Sequence, residues 1–199
     1  MKAARVVPLR RIQGAPEEMA DAALVAACAV GDTAALGALF DRHHLAVYRF
    51  VARSTGLRQD ELDDVVQSTF MQVMTASRAF RGESAVRTWL FGIAVNIGRH
   101  HIRSEIRRRT ALASVGEREA PITTSPHHNV ERKQQLQILE RAMAGLPSDQ
   151  RVAFVMCDLE EIRGVDAARV LGIREGTLYR RLHDARKALR SALKVGTRD

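Results

Sequence analysis

Residues 164–182 read GVDAARVLGIREGTLYRRL, and this stretch decides the fold of the C-terminal part of the chain. It consists of a short helical segment, a turn at Gly172 and the start of a longer helix. Ala168 is small enough for a helix crossing, while Ile173 and Leu178 are apolar residues that hold the second helix in place. The pattern predicts a helix-turn-helix.

The longer helix of this motif is amphipathic and basic. Its spacing predicts a buried stripe made of Leu178, Leu182, Ala185 and Leu189. The other faces present cations to phosphates and base edges, namely Arg180, Arg181, Arg186, Lys187 and Arg190. A solvated basic helix in an ordinary bundle is the alternative, but charge on a helix-turn-helix skeleton favours DNA binding.

The composition of the whole chain agrees with this reading. Of 199 residues, 31 are Lys or Arg and 23 are Asp or Glu, so the formal net charge is +8. Nearly all the cations are arginine, whose planar fork binds phosphates and bases bidentately. A hydrophobic content of 46% excludes global disorder, and two cysteines exclude a disulfide framework. No apolar run approaches the roughly 20 residues that span a bilayer, so the expected protein is soluble and reduced.

Apolar spacing along the rest of the chain is helical and contains no β-like alternation. The sequence therefore predicts an all-α protein of two small helical domains joined by a flexible linker, which leaves their relative placement free. We expect a basic, flexible tail over residues 1–16 and a first domain over 17–110. A linker rich in Pro, Ser and Thr follows over 111–130, and the helix-turn-helix domain spans 131–199.

A second feature is an acidic stripe in the first domain. Asp60, Asp64, Gln67 and Met71 share one face of a predicted helix, opposite its apolar stripe. Such a face repels DNA phosphates, so it is either solvated or docks a basic protein partner. The sequence leaves both readings open.

A third feature is the predicted helix from Val86 to Arg109. Trp89 and Phe91 precede a polar and cationic run that includes Asn96, Arg99, His100 and Arg103. Aromatic side chains beside such a face suit contact with unstacked bases. The alternative is that Trp89 is a plain core residue, since large aromatics are mostly buried.

These three features, in this order, resemble the extracytoplasmic-function (ECF) sigma factors, the small sigma subunits of bacterial RNA polymerase. DELDDVVQSTFMQVM (60–74) is similar to the family's core-binding helix. AFRGESAVRTWLFGIAVNIGRHHIRSEIRRR (79–109) is similar to its promoter-melting and −10-reading segment. LPSDQRVAFVMCDLEEIRGVDAARVLGIREGTLYRRLHDARKAL (146–189) is similar to its −35-binding domain.

The resemblance implies a role for each surface. Core polymerase would be contacted by the acidic helix face at Asp60, Asp63, Asp64 and Gln67. The −10 element would be melted and read by Phe80, Arg81, Gly82, Trp89, Asn96, Arg99, His100 and Arg103. The −35 element would be bound by Thr177, Tyr179, Arg180, Arg181, His183, Asp184, Arg186 and Lys187.

The resemblance also implies partners and a location. The partners would be the β′ and β subunits of core RNA polymerase, promoter DNA and an anti-sigma factor, with no small-molecule substrate, cofactor or metal. Such a protein is not an enzyme and works in the bacterial cytoplasm, held at the membrane where its anti-sigma factor is membrane-bound. One departure concerns Gly92, where the family commonly has a larger polar residue. Tyr179 and Asp184 also depart, because those positions are often basic or small.

Two alternatives belong to other functional classes. A stand-alone helix-turn-helix regulator would need only the C-terminal domain, and it leaves the acidic stripe and the Trp89 helix unexplained. A metal-dependent hydrolase could use the pairs His43-His44, His100-His101 and His127-His128. However, adjacent residues on a helix point about 100° apart, so such a pair does not readily chelate one metal.

Overall fold

The computed structural model describes residues 19–112 and 139–196, and every regular element within these ranges is helical. The predicted all-α class is confirmed. The predicted tail over 1–16 lies outside the described residues, and so does the predicted linker from residue 113 onward.

The N-terminal half contains four α-helices. These are α1 (Asp21–Ala29), α2 (Thr33–Thr55), α3 (Gln59–Ala76) and α4 (Val86–Leu112), with a 3-10 turn (Ser77–Ala79) after α3. Local chemistry sets their ends. The Asp32 carboxylate accepts hydrogen bonds from the backbone N–H groups of Ala34 and Ala35 at 2.9 and 3.1 Å, which fixes the start of α2. Gly56 ends α2 in the left-handed conformation with φ 71°.

The C-terminal half carries the predicted helix-turn-helix. Residues 139–144 are helical and precede α5 (Ser148–Phe154), which continues through one π-helical turn (Val155–Leu159). The motif itself consists of α6 (Gly164–Val170) and α7 (Glu175–Gly196). Its turn includes Gly172 at φ 65°, a left-handed conformation that favours glycine.

The predicted buried stripe of α7 is confirmed. Leu178, Leu182, Ala185 and Leu189 are each at most 4% exposed. Ala168, the small residue predicted at the helix crossing, is also buried. The apolar period therefore identified the inward face of α7 correctly.

A stacked aromatic pair lies at the centre of the N-terminal half. The rings of Phe50 on α2 and Phe91 on α4 lie 4.1 Å apart between centroids, with an interplanar angle of 5°. Both side chains are fully buried. The interpretation of Phe91 as a base-contacting aromatic is therefore wrong, because its ring forms part of the core and cannot reach DNA.

The two halves are packed against each other. One cluster of buried apolar residues runs without a break from Leu24 in α1 to Leu182 in α7. Helix α4 packs against α6, and α2 packs against α5. This differs from the expectation of two domains with free relative placement, since apolar spacing shows which face is buried but not what covers it.

We predict that Phe50→Ala lowers the free energy of unfolding by about 3–5 kcal/mol, because it removes a buried ring and leaves a cavity beside Phe91. Leu45→Ala is the control: this residue lies on the same helix and is 49% exposed, so its change stays within about 0.5 kcal/mol. Urea unfolding measures both. Equal midpoints for the two variants would contradict the central role of the stacked pair.

Candidate partner-binding and nucleic-acid-binding surfaces

The acidic stripe forms one exposed face of α3. Asp60, Asp63, Asp64 and Gln67 are all exposed, as predicted for a face opposite the core. Arg58 donates two hydrogen bonds to Asp60 at 2.7 and 3.2 Å, and these hold the pKa of that carboxyl below its usual range. Met71, one turn beyond Gln67, is 64% exposed and adds an apolar element to the face. Charge and exposed apolar area together suit a protein partner.

The connection between α3 and α4 is a short exposed loop supported by two aromatic rings. Phe80 and Trp89 lie 4.9 Å apart between centroids and are both half-buried. Arg81 and Gly82 are exposed, and Gly82 has φ 71°. Trp89 thus packs on the core, as the second of the two alternatives predicted. Its ring also supports the loop beside it.

One glycine and three polar side chains follow a single stripe along α4. At 100° per residue, Gly92, Asn96, Arg99 and Arg103 fall within an arc of about 60°. Asn96 and Arg103 are exposed, whereas Arg99 is half-buried. His100 and Arg103 also line a surface depression of about 470 Å³, together with Ile106 and Arg107. We call Gly92, Asn96, Arg99 and Arg103 the α4 stripe.

The recognition helix α7 presents most of its predicted contact residues to solvent. Arg180, His183 and Lys187 are exposed, while Thr177 and Asp184 are half-buried.

The Tyr179 ring is 51% exposed and rests against the first residue of α6. A Cβ on Gly164 would lie 2.5 Å from the Tyr179 hydroxyl. Because Gly164 has no side chain, the Tyr179 ring can lie directly against the start of α6.

Two of the predicted α7 contacts are already occupied by carboxylates. Arg186 donates two hydrogen bonds to Asp158, at 2.5 and 2.9 Å. Arg181 is half-buried, and its guanidinium lies 2.5 Å from one carboxylate oxygen of Asp149. The other oxygen of Asp149 accepts a hydrogen bond from Arg99 on α4, at 2.7 Å. One carboxylate thus brings together two arginines that the family resemblance assigns to different DNA elements.

Sequence reasoning missed Asp149 and a second carboxylate, Glu160. The Glu160 side chain is 6% exposed and is paired with both Arg53 on α2 and Arg87 on α4. No periodic signal could have revealed these pairings, because Arg99, Arg87 and Arg53 lie 50 to 107 residues away from their carboxylates and Arg181 lies on another helix than Asp149. Both carboxylates occur where the two halves meet.

The histidines and cysteines form no catalytic constellation in the part of the chain that the structure describes. The His43 ring is hydrogen-bonded to the Asp21 carboxylate at 2.7 Å, and the His44 ring stacks on Phe40. His127 and His128 lie outside the described residues. Burial raises the pKa of the Cys28 thiol to about 11, and burial also raises the pKa of Cys157.

Across residues 19–112 and 139–196, no three His, Cys, Asp or Glu side chains lie close enough together to hold a metal ion. Nor is any helix there both long and apolar enough to cross a membrane.

Family models and relatives match both halves of the chain. The model of sigma-70 region 2 matches residues 39–109, and the model of sigma-70, region 4, matches residues 136–189. The ECF RNA polymerase sigma factor SigM of Mycobacterium tuberculosis is 33% identical over 180 residues, covering 88% of this chain and 86% of that protein. The ECF RNA polymerase sigma-E factor of Escherichia coli is 29% identical over 182 residues, covering 87% and 94%.

Two solved structures share the fold. CnrH in complex with the cytosolic domain of CnrY aligns with a TM-score of 0.60 at 28% identity, covering 88% of this chain and 97% of that one. The sigma factor RpoE in complex with the anti-sigma factor NepR from Bartonella quintana aligns with a TM-score of 0.62 at 27% identity, covering 76% and 92%.

Proposed function

This chain belongs to the ECF group of the sigma-70 family. On that basis we propose which of its surfaces bind polymerase, the −10 element and the −35 element. As a sigma factor, it binds RNA polymerase and directs it to promoters; its family consists of transcription initiation factors. We assign polymerase and −10 binding to residues 17–110 and −35 binding to residues 131–199. The matches to regions 2 and 4 fall inside these two ranges and support the division.

The exposed face of α3 is the proposed docking site for polymerase. The observation that carries this assignment is an acidic, fully exposed helix face in a chain of net charge +8. Asp63, Asp64 and Gln67 would contact a basic surface of the β′ subunit, with Asp60 held beside them by Arg58. The negative charge of this face repels DNA phosphates and attracts a basic protein surface.

The −10 element would meet the loop after α3 and the α4 stripe. Arg81 and Gly82 are exposed beside the Phe80–Trp89 pair, so a flipped base could enter there against a preformed wall. Asn96, Arg99, His100 and Arg103 would contact the upstream part of the element and its phosphates. Arg99 requires release from Asp149 before it can do so.

The −35 element would be read by α7 in the major groove. Arg180 can bond a guanine bidentately, and the exposed Tyr179 ring would meet a thymine methyl. His183, Asp184 and Thr177 lie on the same helix. Lys187 is exposed for phosphate contact, whereas Arg186 and Arg181 reach DNA only after leaving Asp158 and Asp149.

An anti-sigma factor is the third proposed partner. The structural neighbours CnrH and RpoE were solved with the cytosolic domain of CnrY and with the anti-sigma factor NepR. We assign this chain to the bacterial cytoplasm, where polymerase and DNA are, with retention at the membrane when its anti-sigma factor is membrane-bound. The stand-alone regulator is disfavoured, because the chain matches region 2 as well as region 4.

Run-off transcription with core polymerase on a pool of promoter fragments tests the function, and Asp64→Arg tests the docking face. We expect specific transcripts from the wild type and at least about tenfold weaker polymerase binding by the variant, since close charge pairs at interfaces couple by about 1.5–7 kcal/mol. The control is Asp41→Arg, which reverses an exposed charge on α2. Equal polymerase affinity for both variants, with unchanged folding, would reject the assignment of the α3 face.

The loop after α3 is tested by permanganate reactivity of thymines in the −10 region. Arg81→Ala and Phe80→Ala should lower this reactivity more than they lower closed-complex formation, because extruding a base costs a few kcal/mol that the loop must recover. Arg78→Ala is the control, since Arg78 is an exposed arginine in the neighbouring 3-10 turn. Wild-type melting by both loop variants would mean that the loop is only structural.

Base reading by α7 is tested across a randomised −35 library with holoenzyme. Arg180→Ala should relax the base preference at one or two positions, because a bidentate contact discriminates by about 1–3 kcal/mol. Lys187→Ala should instead weaken all sequences alike and flatten the dependence on salt. A uniform loss in the Arg180 variant, with unchanged base preference, would make Arg180 a phosphate contact.

A further inference from the structure

Tyr179 leaves the flank of α7, between its inward and outward faces. At about 100° per residue, Tyr179 lies one step round the helix from the buried Leu178 and one step from the exposed Arg180. A side chain on an α-helix has two main χ1 rotamers to choose between. The direction of the Tyr179 ring therefore depends on what lies beside the helix.

The tip of this ring rests on Gly164, the first residue of α6. A Cβ at Gly164 would lie 2.5 Å from the Tyr179 hydroxyl oxygen, 2.7 Å from Cζ and 2.9 Å from Cε1. Non-bonded carbon atoms are most stable at about 3.5–4.0 Å, so the ring in this place and a side chain at Gly164 exclude each other.

The backbone at Gly164 does not itself require glycine. The glycines with positive φ in the described ranges are Gly31, Gly56, Gly82 and Gly172. Gly164 is not one of them and begins a helix, where alanine is the better residue. Glycine at this position thus serves to leave space, and the space is filled by the Tyr179 ring.

The same flank of α7 is held at a second point. Arg186 lies two turns after Tyr179 and within about 20° of it around the helix. Its guanidinium donates two hydrogen bonds to Asp158, at 2.5 and 2.9 Å. The flank is therefore fixed against the chain just before α6 and at the start of α6. One side of the Tyr179 ring nevertheless stays open, since the residue is 51% exposed.

We propose that Gly164 is a positioning residue for −35 specificity: it lets the Tyr179 ring lie on α6 and so fixes the ring's exposed side beside Arg180, where it meets a thymine methyl. The inference rests on the proposed reading of the −35 element by α7. A ring already held in one rotamer loses little conformational entropy when it contacts a base. An alanine at position 164 would force the ring into its other rotamer and remove that contact.

The variant Gly164→Ala tests this role across a randomised −35 library with holoenzyme. The atoms that must move aside are the tip of one exposed side chain, so we expect the fold to be retained, as circular dichroism would verify. The control is Gly37→Ala, which places the same Cβ on α2 where nothing lies within 4 Å.

Two further variants show whether Gly164 acts through Tyr179. We expect Gly164→Ala and Tyr179→Ala each to lower discrimination about fivefold or more at the same base pair, because a mismatched pair costs about 1 kcal/mol or more. The double variant should lose no more than Tyr179→Ala alone, since both changes remove one contact. Wild-type base preference in Gly164→Ala, or losses that multiply in the double variant, would overturn the proposal.

A measurement on the free chain tests the contact without DNA. The chain contains two tyrosines, Tyr48 and Tyr179, so labelling with fluorotyrosine gives two fluorine NMR signals, which Tyr179→Phe assigns. Gly164→Ala should shift the Tyr179 signal and leave that of Tyr48 on α2 in place, whereas an unmoved Tyr179 signal would overturn the contact. If the wild-type holoenzyme has no −35 preference, the proposed role of α7 fails. If it has one and Gly164→Ala keeps it, only the positioning role fails.

Discussion

The close approach of the Val170 carbonyl to Gly92 is the constraint on which the arrangement of this sigma factor depends. It places α6 against α4, and α6 carries the rest of the helix-turn-helix with it. Helix α4 therefore has two packed sides. One side buries Leu90, Phe91 and Ala94 in the N-terminal core, and the other side carries the stripe that includes Gly92 and Arg99.

The net positive charge of the chain overstates how many arginines are not already paired with carboxylates. A net charge of +8 describes a DNA-binding protein, yet several arginines are already paired with carboxylates of the same chain. Asp149 binds Arg99 and Arg181, and Asp158 binds Arg186. In the proposed function, DNA would compete with these carboxylates, whereas Arg180 and Lys187 on the same helix α7 are exposed.

The sequence predicted the local structure well and the long-range structure poorly. Helical spacing correctly identified the inward residues of α7 and the exposed face of α3, because both follow from a period of 3.6 residues. The role of Phe91 was misread because neighbouring cations suggested a DNA face, while its partner Phe50 lies on another helix. The packing of the two halves could not be predicted, since its contacts join Gly92 to Val170 and Arg99 to Asp149, pairs that lie at least 50 residues apart in the chain.

The α4 stripe contacts the C-terminal half of the chain through Gly92 and Arg99, and in the proposed function it contacts the promoter once polymerase is bound. The most direct measurement is single-molecule energy transfer between dyes at Val30→Cys and Glu140→Cys, both exposed positions on opposite halves. Cys28 and Cys157 have raised pKa values, so they react slowly with the dyes. We expect one short distance in the free chain and a longer one after core polymerase is added. An identical distance in both states would contradict this expectation.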